Sequence, residues 1–193
     1  MTTAPSNSTI SPLYSTDYRV YINHTDAGGI VYHANHLVFF ENCRRDWFSK
    51  LGLNGYFMHA DDGQIQHFVV SQAQLQYKKA IFLDEVIKVH IDRVELKPAS
   101  IVFYQSIHRH ASQNSNENHY PSANENHYPS AKTLLSSAKI VIACVQNQTK
   151  PEPADNADTS DIAANAAPIR PIRVPKNLHD NIQQAIAHHS NDA

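Results

Sequence analysis

The chain has 193 residues, enough for one domain with a buried core, and 41% of them are hydrophobic. A formal net charge of −2 gives no electrostatic argument for nucleic acid or an anionic membrane. No apolar run approaches the ~18 residues of a spanning helix, and the start M-T-T-A-P-S-N-S-T-I-S-P lacks the basic and apolar stretches of a secretory leader. Cys43 and Cys144 both fall in apolar segments, which reads as buried free thiols in a cytoplasmic protein without membrane insertion.

In chain order, residues 1–16 are rich in Ser, Thr, Pro and Asn and predict a loose arm. Alternation of Tyr18, Val20 and Ile22 with Arg19 and Tyr21 predicts a strand, followed by a turn at Gly28-Gly29. From Asn35, a candidate N-cap, Leu37, Phe40, Cys43 or Arg44, Trp47 and Leu51 recur at helical spacing, and Gly52 is placed to end the helix. Val38, Phe39 and Phe48 make that helix apolar on more than one face, as expected of a helix wrapped by other structure. Arg44 and Arg45 read as its solvated face.

Residues 53–66 read as a connection. Strands are then expected over 67–79, 84–96, 100–110 and 134–146, with a bulge near Arg93 where the apolar phase slips. The last of these is apolar on both faces, the mark of a central strand. N-E-N-H-Y-P-S-A occurs at 116–123 and again at 124–131, inside a polar insert at 111–133. Two short polar copies cannot stack as a solenoid, so they read as a lengthened hairpin loop. A second polar insert spans 147–168, P-I-R-P-I-R-V-P resumes extended structure, and a terminal helix is expected over 177–189, with the helix end and tail at 181–193. Strand, long helix and four strands in meander-like succession give an α+β domain over 17–180, an antiparallel sheet curled around one helix. An uncovered sheet face or edge in such a plan favours oligomers.

The chemistry concentrates in Y-I-N-H-T-D-A-G-G-I-V-Y-H-A-N-H, residues 21–36. Asp26 precedes a glycine pair, His33 follows seven residues later, and the helix start behind them supplies N–H groups and a partial positive charge. A carboxylate, an imidazole and backbone donors suit a carbonyl that becomes an oxyanion. The plain alternative is that Asp26 caps its own turn. A metal set of His24, Asp26, His33 and His36 is a weaker alternative, since no known ligand motif is present. Glu41, one turn into the helix, is either a further acid or substrate contact or an ion-pair partner of Arg44 and Arg45.

R-V-Y-I-N-H-T-D-A-G-G-I-V-Y-H-A-N-H-L-V-F-F-E resembles the signature of hotdog-fold acyl-CoA thioesterases of the YbgC (tol-pal-associated) type, within the 4-hydroxybenzoyl-CoA thioesterase superfamily. The likeness extends over F-V-V at 68–70, L-D-E-V-I-K-V at 83–89, the strand at 101–107, V-I-A-C-V at 141–145 and R-V-P at 173–175. It implies a hotdog fold, with a five- or six-stranded antiparallel sheet around one long central helix. It also implies cytoplasmic hydrolysis of acyl-CoA thioesters without metal or redox cofactor, in a homodimer or homotetramer. The family's catalytic carboxylate falls on Asp26 and its active-site histidine on His33. Gly28, Gly29, Ile30, Val31, Tyr32 and Glu41 are the expected substrate-binding positions, and acyl carrier protein is a second candidate partner. One departure stands out: the family commonly has Glu-Asp before T-D, and this chain has Asn23-His24. Two other readings stay open, a non-catalytic acyl-CoA or acyl-carrier-protein binding scaffold and a dehydratase of 3-hydroxyacyl thioesters.

Overall fold

The structure, a computed structural model, describes residues 11–53, 57–59, 65–110, 133–147 and 169–192. The tandem repeat, most of both inserts and the first ten residues lie outside the described residues.

Strand β1, Tyr14–Arg19, leads through a 3-10 turn at Ile22–His24 to helix α1, Asn35–Lys50. Short β2, Phe57–His59, is followed by β3, Ile65–Tyr77, then β4, Val86–Leu96, β5, Ser100–Arg109, and β6, Leu134–Asn147. Short β7, Ile169–Pro171, and helix α2, Lys176–Asp192, complete the chain. All pairings are antiparallel, in the order β1-β4-β5-β6-β3-β2, with β7 added on β6.

This is the hotdog arrangement, and α1 is its filling. Phe39, Phe40, Cys43, Trp47 and Phe48 recur three and four apart and are almost wholly buried. They meet the alternating faces of the sheet: Trp47 and Phe48 pack edge-on to Phe103 of β5, and Phe48 stacks on Phe68 of β3. Each such ring contributes about 2 kcal/mol from burial alone. Val174, Leu178 and Ile182 add α2 to the same core cluster, so the terminal helix extends the core. Gly52, at φ +75°, ends α1 in the left-handed conformation expected of it.

Several local expectations are corrected. β1 begins at Tyr14, because Tyr14 and Thr16 pair with Ile91 and Val89, and residues 22–24 turn instead of extending. Asn35 is not the N-cap; Ala34 holds that position, and the Asn35 amide donates to the carbonyl of His24 at 2.8 Å, tying α1 to the 3-10 turn. Arg44 is not on the solvated face. It is 1% exposed beneath α1, where Nη1 donates to Gln105 Oε1 at 2.8 Å and the guanidinium lies over Phe103.

The strand succession also differs from a simple meander. β4, β5 and β6 follow one another, but β3 crosses over to pair with β6. That placement satisfies β6, which is apolar on both faces and needs a strand on each side. The bulge foreseen near Arg93 is present as a register shift between Ile91 and Arg93.

Candidate active site

The 3-10 turn and the segment after it form a compact frame at the N-terminus of α1. His24 anchors the turn: its Nδ1 accepts the N–H of Tyr21 at 2.9 Å, and its ring packs edge-on against Phe39. Thr25 and Val31 form a bridge pair, and Val31 N–H donates to Ile81 O at 2.8 Å, which docks the loop on the segment after β3. Between them Asp26 closes a tight turn. Its N–H donates to Ile30 O, its carbonyl accepts Gly29 N–H, and its Oδ1 accepts Gly28 N–H at 2.8 Å. Gly29 takes φ +71°, a conformation that disfavours any side chain, and a Cβ at Gly28 would stand 3.1 Å from Asp26 Oδ1.

The turn-capping reading of Asp26 is therefore realised for one oxygen. Among the described residues Oδ2 has no hydrogen-bond partner, and Asp26 is exposed at the edge of an open cleft of about 360 Å³. The cleft brings together Asp26, Ile30, Val31 and His33 of the expected set. Gly28, Gly29, Tyr32 and Glu41 do not line it in this single chain; Tyr32 is 45% exposed and packs its ring beside His33 at 4.2 Å.

The remaining wall comes from His36, considered above only as a metal ligand, and from a part of the sequence that carries no local signature of a site. His36 lines the cleft from the first turn of α1, and Tyr77, Lys78, Lys79, Ala80 and Ile81 line it from the end of β3 onward. The Tyr77 hydroxyl donates to the carbonyl of His33 at 3.2 Å, so β3 holds the backbone of the expected histidine. Only the pairing of β3 with β6 brings Tyr77 to this place, and no local pattern reports that pairing.

Electrostatics separate the four ring and carboxylate groups once considered as a metal set. Burial lowers the His24 pKa, and His24 is committed to its capping bond and to Phe39. His36 is pushed down to about 4 by burial and by the neighbouring His33, so its imidazole is neutral at neutral pH. Among the described residues no three metal-ligating side chains converge.

Backbone donors are fewer than the sequence promises. The N–H groups of Gly28, Gly29, Val31, Tyr32 and Asn35 are already used. Among the described residues those of Ile30, His33, Ala34 and His36 make no backbone hydrogen bond; Ala34 is the N-cap of α1 and His36 lies in its first turn. Unpaired N–H groups at a helix N-terminus, aligned with the helix dipole, favour an anion or oxyanion.

The sequence profile of the thioesterase-like superfamily matches residues 20–182, taking in the cleft, the central helix and every long strand from β3 to β6. The chain belongs to the thioesterase-like superfamily. Among the relatives of this superfamily member, the acyl-CoA thioesterase YbgC of Haemophilus influenzae is 31% identical over 132 residues, covering 68% of this chain and 80% of that one. The acyl-CoA thioester hydrolase YbgC of Escherichia coli O6:H1 is 28% identical over 69% of this chain and 82% of its own. The fold is shared with solved structures as well. The 4-hydroxybenzoyl CoA thioesterase of Pseudomonas sp. strain CBS-3 superposes with a TM-score of 0.59 at 14% identity, over 87% of this chain and 97% of that one. A probable thioesterase of Bartonella henselae does so with 0.55 at 22% identity, over 84% and 98%.

Proposed function

We propose that this chain hydrolyses acyl-CoA thioesters to a free acid and CoA, with Asp26 and His33 as its catalytic residues. The observation that carries this reading is the cleft at the head of α1, lined by His33, His36 and Asp26, whose Oδ2 makes no hydrogen bond among the described residues, in a member of the thioesterase-like superfamily. Asp26 takes a proton from water, or attacks the thioester carbonyl carbon itself and expels the CoA thiolate, leaving an acyl–Asp26 anhydride that water then hydrolyses. In the first case the water oxygen forms the new bond to that carbon, and the negative oxygen draws on the N–H groups at the start of α1. The carbon–sulfur bond then breaks, and the proton passes to the departing CoA thiolate with His33 as relay.

Lys78 and Lys79 stand at the lip of the cleft, and their charge suits the phosphates of CoA. The test is release of free CoA over a panel of acyl chains, with the matching acyl-pantetheines and an acylated carrier protein alongside. Turnover of at least one acyl-CoA is expected, with KM about fivefold lower than for its acyl-pantetheine at low salt. Tight binding without turnover on every chain would favour a scaffold instead. One observation does favour that rival reading: Asp26 Oδ1 already serves the turn.

The oligomer belongs to the same proposal. β2 covers only Ile65–His67 of β3, so from Phe68 to Tyr77 one edge of β3 has no strand beside it among the described residues. Val70 and Tyr77 are half exposed along it. Open edges with apolar side chains invite a matching strand, and a second copy of β3 pairing antiparallel would give a twofold dimer beside the cleft. Sedimentation velocity checks this: a species of 21.7 kDa at micromolar concentration would sink the edge pairing. The compartment we assign is the cytoplasm, on the two buried free thiols. No described helix is long and apolar enough to cross a membrane.

A further inference from the structure

His36 differs from the other histidines of the loop in being buried, anchored and still in the cleft. It is 5% exposed, its Nδ1 lies 3.0 Å from Ser136 Oγ, and Tyr77 packs edge-on to the ring at 5.0 Å. Ser136 is itself fully buried in the middle of the sheet, and His36 is the partner of its hydroxyl among the described residues. A buried hydroxyl uses its proton where it can, and Nδ1 is the acceptor on offer. Donation from Ser136 fixes the imidazole as the Nε2–H tautomer. Nε2 has no protein partner among the described residues, yet it is not sealed from solvent, because it is absent from the buried atoms left without a bond. His36 is one of the residues that line the cleft.

We propose that His36 is a substrate-contacting residue whose Nε2–H donates a hydrogen bond to the thioester carbonyl oxygen, with Ser136 as the positioning residue that sets the tautomer. This rests on the acyl-CoA reading above. The ring is held between Ser136 and Tyr77, so little reorganisation is needed when negative charge develops on the oxygen. Burial and the nearby His33 keep it neutral, so it donates without giving up its proton. A neutral imidazole at a helix N-terminus is a known way to polarise a carbonyl. The other charged groups on the same cleft are Asp26, Lys78 and Lys79. Asp26 is the base or nucleophile of the proposed reaction, and the lysines suit the CoA phosphates, which leaves the carbonyl oxygen to His36 and the helix N–H groups.

The experiment uses the full chain and two unreactive CoA ligands, a ketone analogue with a methylene in place of sulfur and a thioether that lacks the carbonyl. His36→Phe keeps the ring volume and the contact with Tyr77 but removes the donor. It is expected to weaken the ketone analogue about five- to tenfold and to leave the thioether unchanged. With substrate, kcat is expected to fall about a hundredfold, with KM rising by no more than the five- to tenfold loss of ketone affinity. His36→Gln, which restores an N–H donor, recovers part of both, and Ser136→Ala loses part of both. Equal affinity of His36→Phe and wild type for the ketone overturns the proposal. So does equal weakening of both analogues, which marks a packing role only. A wild type that binds the ketone through His36 but turns over no thioester defeats the hydrolase reading and leaves this contact standing.

Discussion

Asp26→Asn is expected to lower kcat at least a thousandfold while leaving KM and thermal stability close to wild type. The two effects separate because the carboxylate has two oxygens in different employment. Oδ1 accepts the N–H of Gly28, and an asparagine oxygen accepts it equally well, so the turn persists. Oδ2, without a partner among the described residues, is the atom lost to chemistry when it becomes an amide. Asp26→Ala removes the turn bond too and is expected to cost about 1 kcal/mol of stability besides the activity. Steady-state kinetics on the best acyl-CoA and thermal melts of both variants check this. Undiminished hydrolysis by Asp26→Asn would reduce Asp26 to a turn residue. Label in Asp26 after a single turnover in oxygen-18 water then marks attack by the carboxylate, with water opening the resulting anhydride at its aspartyl carbon.

The second large effect is structural. Gln105→Leu is expected to destabilise the fold by about 3 kcal/mol, whereas Arg44→Met is expected to cost only about 1 kcal/mol, for the donor that the buried Gln105 Oε1 loses. Arg44 is a fully buried cation with no carboxylate partner among the described residues, and its Nε is unpaired. Gln105 carries the compensation: Oε1 accepts from Arg44 and Nε2 donates to the carbonyl of Phe40 at 3.1 Å. Removing the amide leaves the charge buried and bare, while removing the guanidinium replaces it with an apolar chain of similar reach. Arg44→Met combined with Gln105→Leu is expected to recover most of the loss. Urea midpoints for the two single variants and the double variant close the cycle. A double variant worse than Gln105→Leu alone would contradict the account.

What was readable from residues was what periodicity encodes. The helical spacing from Phe39 to Phe48 gave the filling of the hotdog, Gly52 gave its end, and the phase slip at Arg93 gave the bulge. Asp26 and His33, which line one cleft, were legible as candidates because a carboxylate, adjacent glycines and an imidazole fall within eight residues. Three things were not readable. A charge such as that of Arg44 reads as surface until a partner across the core is known, and Gln105 is distant in sequence. The use of Gly28 and Gly29 N–H groups within the turn depends on its closed geometry, so of the expected backbone donors those near the helix start are the ones left unpaired among the described residues. The far wall of the cleft depends on strand order, which local patterns do not carry.

His24, the departure from the family's acidic pair, receives a physical role from the same geometry. Its Nδ1 and ring brace the 3-10 turn against Phe39 and do not line the cleft. The replaced position therefore acts on how the loop is held.

The crossing of β3 also bears on the order in which the molecule can be assembled. β4 and β5 are joined by a tight connection and can pair as soon as both exist. β3 precedes them, yet its long partner is β6, so residues 65–77 wait for residues 134–147 before their ladder can close. On a ribosome the first half of the sheet and the apolar helix α1 emerge well before the strand that completes their enclosure. Pairing over such separations is slow, and an apolar helix with an open strand is what chaperones and stray edges bind in the interval. The slow step in refolding is therefore expected to be the docking of β6 between β3 and β5, the event that also brings Ser136 to His36 at the candidate site.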